Sequence, residues 1–249
     1  MEVIANNCKK LRRLRVERGD REVQQGFVTQ KGLTAIALSC HHLEYIAAYV
    51  SDIDNAALVT IASNCPNLRD FRLVLLDEGN DISDFPLDDG VRALMQKCKC
   101  MHRFALYLRP GCVTDRGMNE MGLYGKSLRW VLFGLLGETD MGLSLFADYC
   151  QSLEKLEIRD CVYSEAAIAS AVLKMRSLKY VWVQGYKSSG SGQDLLPLCN
   201  ACWRVEYIPA TKSIDGMEQP VQFVAYRSLS ERCRVDHPPS VILLNESIV

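Results

Sequence analysis

The fold class predicted is an α/β solenoid, a leucine-rich-repeat coil with strands on the concave side and helices on the convex side, closed by a C-terminal cap. Three observations predict it. The first is a recurring string. In CQSLEKLEIRDC (Cys150–Cys161), Leu153, Leu156 and Ile158 fall at the L-x-x-L-x-L spacing at which a short strand buries alternate side chains. The same frame fits CKKLRRLRV from Cys8, CHHLEYIAA from Cys40, CPNLRDFRL from Cys65, CKCMHRFAL from Cys98, GKSLRWVLF from Gly125, MRSLKYVWV from Met175 and, more loosely, CWRVEYIPA from Cys202. The second is the period. Successive frames are 32, 25, 33, 27, 25, 25 and 27 residues apart, which leaves room for a helix in each step. The third is that LTAIALSC, LVTIASNC, VRALMQKC, LSLFADYC and IASAVL carry the apolar recurrence of amphipathic helices between the frames.

Taken in order, the chain opens on MEVIA, which reads as the tail of a repeat helix without a polar cap before it, so the first repeat is expected to be truncated and the sequence to be the C-terminal portion of a longer protein. Two connections are long, Arg18–Gly32 and Leu76–Asp89. Insertions of this kind map to one rim of a solenoid, either as binding loops or as tolerated surface additions. Thr114-Asp115, Thr139-Asp140 and Ser164-Glu165 place side-chain oxygens where helix starts need acceptors for unpaired amides. The expected division is residues 1–210 as about eight repeats and 211–249 as a cap, with Thr211–Pro220 a mobile loop and FVAYRSL (Phe223–Leu229) and SVILLNE (Ser240–Glu246) as cap strands. A solenoid needs such a lid because its last repeat otherwise exposes its core.

Composition narrows the function classes. With 48% hydrophobic residues, 24% charged residues and a net charge of −1, the 249-residue chain can bury a core and has no overall attraction for nucleic acid or an anionic membrane. Its longest apolar run, Trp130–Leu136, is too short to span a bilayer, and no signal segment opens it. Of the eleven cysteines, Cys8, Cys40, Cys65, Cys98, Cys150 and Cys202 share one repeat position, which marks a packing choice by a small buried hydrophobe and a reducing compartment. Cys199 and Cys202 have the spacing of a redox or metal pair, but no second pair or ligand histidine follows. His41, His42, His102 and His237 lie outside the strand columns and form no nucleophile–base or zinc motif, so neither catalysis nor a metal is expected.

Residues between the buried strand positions face the concave side and can be read off by column. Successive strands present Arg13/Arg15/Glu17, Tyr45/Ala47/Tyr49, Asp70/Arg72/Val74, Arg103/Ala105/Tyr107, Trp130/Leu132/Gly134, Lys155/Glu157/Arg159 and Tyr180/Trp182/Gln184. Six cations stand beside three acids and are interleaved with aromatic rings. That combination suits a ligand with an anionic group and an apolar body. It equally suits charge ladders between neighbouring strands.

LRRLRVERG (11–19), LEYIAAYVSDI (43–53), DFRLVLLD (70–77), DFPLDDGVRAL (84–94), HRFALYLRPG (102–111), SLRWVLFG (127–134), LEKLEIRDC (153–161) and YVWVQGYK (180–187) resemble plant F-box leucine-rich-repeat hormone receptors, specifically the jasmonate receptors. Auxin receptors share the architecture but not these strings. The resemblance implies a non-catalytic substrate receptor of an SCF-type E3 ubiquitin ligase in the nucleus, acting in jasmonate signalling and plant defence. In that family jasmonoyl-isoleucine or coronatine glues the receptor to the degron of a JAZ repressor, which is then ubiquitylated and degraded. It implies hormone contacts from Arg15, Ala47, Tyr49, Arg72, Tyr107, Trp130, Leu132 and Arg159, and an inositol polyphosphate cofactor facing Arg13, Arg72 and Lys155. A Skp-type adaptor and a cullin would be reached only through an F-box, which these 249 residues do not include. The other reading left open is a diverged or truncated leucine-rich-repeat interaction scaffold without hormone response.

Overall fold

The computed structural model describes residues 1–16, 28–76, 84–199, 203–212, 216–227 and 240–244. Strand and helix alternate along the chain. The elements are α1 (Glu2–Asn7), β1 (Arg13–Val16), α2 (Gln30–Ser39), β2 (Tyr45–Val50), α3 (Asn55–Asn64), β3 (Asp70–Leu75), α4 (Asp88–Lys97), β4 (Arg103–Tyr107) and α5 (Asp115–Tyr124). They continue as β5 (Trp130–Gly134), α6 (Asp140–Tyr149), β6 (Lys155–Arg159), α7 (Glu165–Lys174), β7 (Tyr180–Gln184), α8 (Leu196–Cys199), β8 (Trp203–Ile208), β9 (Gln222–Arg227) and β10 (Ile242–Leu243). The predicted solenoid is therefore observed, and β1 to β7 pair in parallel in sequence order, one strand per repeat.

Each strand exists because its alternate residues can be buried. In β2 Ile46, Ala48 and Val50 point inward, and in β6 Leu156 and Ile158 do. The helices answer with one repeated triplet at spacing i, i+3, i+4: Leu33/Ile36/Ala37, Leu58/Ile61/Ala62, Leu143/Phe146/Ala147 and Ile168/Ala171/Val172 are all buried. The core is a continuous slab between sheet and helices. Cys40, Cys65, Cys98 and Cys150 sit in it as expected, and burial pushes the thiols of Cys65, Cys98 and Cys150 up to about 12. Cys8, in the first frame, is exposed, and Cys202 lies outside the described residues. Cys98 Sγ donates to the Cys65 carbonyl of the preceding repeat at 3.4 Å, a weak bond that ties adjacent turns.

The capping oxygens behave as expected: the side chains of Thr114, Thr139 and Ser164 accept from the amides of Arg116, Met141 and Ala167. Their acidic neighbours do something the sequence did not disclose. The carboxylates at the first positions of α4, α5 and α6 reach the cap of the next repeat, and that of α7 reaches the following loop. Asp88 accepts the Thr114 amide at 3.0 Å and its hydroxyl at 2.5 Å, Asp140 accepts the Ser164 amide at 2.8 Å and its hydroxyl at 2.6 Å, and Asp115 accepts the amides of Glu138 and Thr139, both at 3.1 Å. Glu165 accepts Ser188 and Ser189 hydroxyls at 2.9 and 2.7 Å. Asp88 and Glu165 are buried, so these bonds are what permits their burial.

The end of the sheet departs from simple repetition. The order runs β7-β9-β8-β10, with β9 antiparallel to both β7 and β8. The frame beginning at Cys202 does form a strand, yet that strand does not pair with β7, because β9 takes the place beside it. Phe223 and Ala225 of β9 bring the inward side chains that continue the core. β10 pairs with β8 in parallel. The two long connections lie mainly outside the described residues; of the second, Asp84 accepts the Asn55 amide at 2.8 Å ahead of α4.

Asp88→Ala tests the link between repeats. It leaves the Thr114 amide and hydroxyl without their acceptor, and loss of a buried partner costs about 2–3 kcal/mol. A urea-denaturation midpoint unchanged by the substitution would count against the link.

Candidate functional site

Strand register places the concave residues in three rows. The first row, nearest the strand starts, runs Arg13, Tyr45, Asp70, Arg103, Trp130, Lys155 and Tyr180. The middle row runs Arg15, Ala47, Arg72, Ala105, Leu132, Glu157 and Trp182. The last runs Tyr49, Val74, Tyr107, Gly134, Arg159 and Gln184. All the candidate binding residues fall in these rows.

The cations are held by two means. Rings support them from the side: Arg13 lies 4.5 Å from the Tyr45 ring centre, Arg72 lies 4.8 Å from that of Trp130, and Lys155 lies 4.8 Å from that of Tyr180. Carboxylates support them from below. Asp70 takes Arg72 in a fork, Nε at 2.8 Å and Nη2 at 2.9 Å, and the Arg72 guanidinium is held firmly protonated chiefly by that bond. Glu157 accepts Lys155 Nζ at 2.7 Å and the Trp130 indole N–H at 3.0 Å. The layering is unequal. Side-chain exposure is 12% for Asp70 and 13% for Glu157, against 35% for Arg72, 60% for Arg103 and 45% for Lys155, so solvent meets positive charge over buried negative charge. Charge pairing within the face is therefore real, and much of it runs along a strand, two residues apart, rather than only between strands.

In the middle row Ala47 separates Arg15 from Arg72, and Ala105 separates Arg72 from Leu132, so Arg72 stands between two short side chains. Leu132 is half-buried beside Ala105. Tyr49 is half-buried at the end of β2.

The last row depends on a close approach. A Cβ on Gly134 would lie 2.1 Å from Cδ2 of Tyr107, so the missing side chain is what lets the Tyr107 ring cross β5. From there its hydroxyl donates to Asp160 at 2.8 Å. Burial first and this bond second raise the Tyr107 pKa, which keeps the phenol protonated at neutral pH. Arg159 lies 5.7 Å from the Tyr107 ring centre and 5.9 Å from that of Trp182. Asp160 has φ 53°, the left-handed backbone that Asp tolerates better than most residues, and this aims its carboxylate back at the row. Of the three residues Asp160, Gly134 and Ala105, the strand columns contain Gly134 and Ala105 without a binding role, and Asp160 lies outside the columns. A glycine at a concave strand position beside a tyrosine is the signal that could have found the second of them.

No protein-family model matches the chain. Individual proteins do. The chain is 48% identical over 258 residues to coronatine-insensitive protein homolog 1a of Oryza sativa, covering 98% of this chain and 43% of that protein. It is 47% identical over 260 residues to coronatine-insensitive protein 1 of Arabidopsis thaliana, covering all of this chain and 44% of that protein. A transport inhibitor response 1-like protein of Oryza sativa is more distant, 32% identical over 238 residues, with 95% of this chain and 38% of that protein covered. Fold and concave face together define a leucine-rich-repeat solenoid. Within that class, the chain belongs to the coronatine-insensitive protein family, and it spans less than half the length of the relatives just described.

Gly134→Ala should displace Tyr107 and cost about 1–3 kcal/mol, as overpacking in a filled site does. Tyr107→Ala removes the obstacle, so the double variant should be less destabilised than the sum of the two single variants. Additive losses in a denaturant cycle would mean the ring does not depend on the glycine.

Proposed function

We propose that this chain supplies the concave binding face of a jasmonate co-receptor, the part of an SCF-type ubiquitin ligase that recognises JAZ transcriptional repressors in the nucleus and marks them for degradation, and so acts in plant defence. It is a recognition surface rather than a catalyst. The observation that carries this reading is the Arg15–Ala47–Arg72 row, where the short Ala47 side chain stands between two arginines and beside aromatic rings, an arrangement we read as a gap one side chain wide. Such a gap admits the carboxylate end of jasmonoyl-isoleucine or coronatine, with Arg15 and Arg72 on the anion and Tyr49 on the amide. Tyr107 and Arg159, whose guanidinium lies beside the Tyr107 ring, are assigned the ring ketone, with the Tyr107 hydroxyl turning from Asp160 to the ligand. Trp130 and Leu132 flank the apolar tail and the repressor degron.

An inositol polyphosphate is proposed as cofactor, and the layering of charge supports it: Arg13 and Arg103 of the first row are exposed and Lys155 half-buried, with the carboxylates beneath. Arg13, Arg72 and Lys155 would hold its phosphates. The Skp-type adaptor and cullin are assigned to an F-box outside these residues.

Arg72→Ala in the complete receptor should reduce hormone-dependent degron capture by at least about tenfold, since each charged hydrogen bond in a desolvated site contributes about 1.5–3 kcal/mol. Adaptor binding and the melting profile serve as controls. Undiminished capture would remove Arg72 from the site. Ala47→Val puts a branched side chain into the gap, so it should weaken the isoleucine conjugate more than an unconjugated jasmonate precursor. Equal losses in a competition assay would show that Ala47 does not read ligand size.

A further inference from the structure

The repeats are also in register along the rim where the strands begin. The turns CKKLR, CHHLE, CPNLR, CKCMH, GKSLR, CQSLE and MRSLK hold nine Lys or Arg against two Glu, in a chain whose net charge is −1. Backbone bonds line these turns up: the amides of Glu44, Arg69, His102, Arg129, Glu154 and Lys179 each donate to the carbonyl of the corresponding residue one repeat earlier, at 2.8 or 2.9 Å. Arg227 of β9 extends the row by donating its amide to Lys179 O at 3.0 Å. The result is a basic edge running the length of the solenoid, separate from the concave rows.

This charge is only partly consumed internally. Arg12 pairs with Glu44, and Glu154 is shared by Arg129 at 3.4 Å and Lys179 at 2.9 Å. Among the described residues, Lys9, Lys10, Arg69, Lys99 and Arg176 have no carboxylate within ion-pair distance. Helix C-termini end at this rim and account for some of the charge, as where Lys126 Nζ donates to Tyr149 O at 3.3 Å. They do not account for residues that stand beyond the helix ends, next to the strands. The opposite rim differs: there Asp52, Asp54, Asp84, Asp115 and Asp140 accept backbone amides and are committed to the fold.

At the C-terminal end the rim forms a concavity of about 170 Å³ lined by Arg129, Arg176, Lys179 and Arg227, with Glu154 as its one acid. The Glu154 carboxyl is held below the usual range, first by its bond to Lys179, so it stays charged and keeps part of the site negative. Glu44 and Glu154 interrupt the edge at two places. A nucleic-acid backbone, negative at every step, would be opposed at both, whereas a polypeptide can place uncharged residues there.

We propose that this edge is a docking surface for an acidic, extended polypeptide segment of a partner protein, anchored by an acidic side chain in the concavity between Arg129 and Arg227. The test is fluorescence anisotropy with a labelled peptide of alternating Glu and Ser, about 12 residues long to follow the edge at about 3.3 Å per residue and 4.8 Å per strand. Binding is expected at low salt and should fall steeply as salt shortens the screening length below about 8 Å. The Lys99→Glu/Lys126→Glu variant and, separately, Arg176→Glu should each weaken it about tenfold or more, while Lys187→Glu on the opposite rim, beside Ser164, should leave it within about twofold. Circular dichroism melts confirm that each variant is folded. No binding of the peptide, equal binding by the rim variants, or tighter binding of an oligothymidylate or a phosphatidylserine vesicle of matched charge would overturn the proposal. So would rim-dependent self-association in sedimentation.

Discussion

The structure depends on each repeat satisfying the polar groups of its neighbour. A turn of this solenoid is too small to bury its own hydrophobic face, so stability comes from nearest-neighbour interfaces. Two sets of bonds fix those interfaces. On the concave side the strands share a parallel ladder from β1 to β7. On the rim where the helices begin, Asp88, Asp115, Asp140 and Glu165 each hold the cap or loop of the following repeat. The helix triplets pack between these two lines, and their Leu, Ile and Ala side chains fit because the lines hold adjacent turns at constant spacing.

That constancy is what makes a binding face out of isolated side chains. Because register is kept from β1 to β6, Arg15, Ala47 and Arg72 stand in one row although they are far apart in sequence. The same register lets a buried acid sit under exposed cations. Asp70 and Glu157 prevent the arginines and lysine from repelling one another, and the rings fix their directions. The face thus keeps a positive surface without a large internal electrostatic penalty.

Strand positions and helix triplets were legible in the sequence because they follow from alternation and from a spacing of three and four residues, both local properties. Membership of the concave rows was legible for the same reason. What local pattern could not reveal depends on the next repeat or on a distant strand. Asp115 looks like an ordinary first-turn acid until Thr139 is placed beside it. Gly134 looks like a weak strand residue until Tyr107 is seen lying across it. The position of β9 was hidden most deeply, since an antiparallel insertion leaves no frame to count. Its alternation announced a strand but not the two neighbours it would separate.

The insertion of β9 between β7 and β8 has a consequence for synthesis. A repeat ladder can in principle grow turn by turn as the chain leaves the ribosome, each new strand finding its partner already present. Here that order fails at the last step. β8 emerges before β9 but cannot take the place beside β7 that the repeat pattern would give it. Until residues 222–227 arrive, the bonding edge of β7 remains open to any other strand, including one from a neighbouring nascent chain. Completion of the C-terminal end therefore waits for residues 222–227, and a coil folded as far as β8 would carry an adhesive edge.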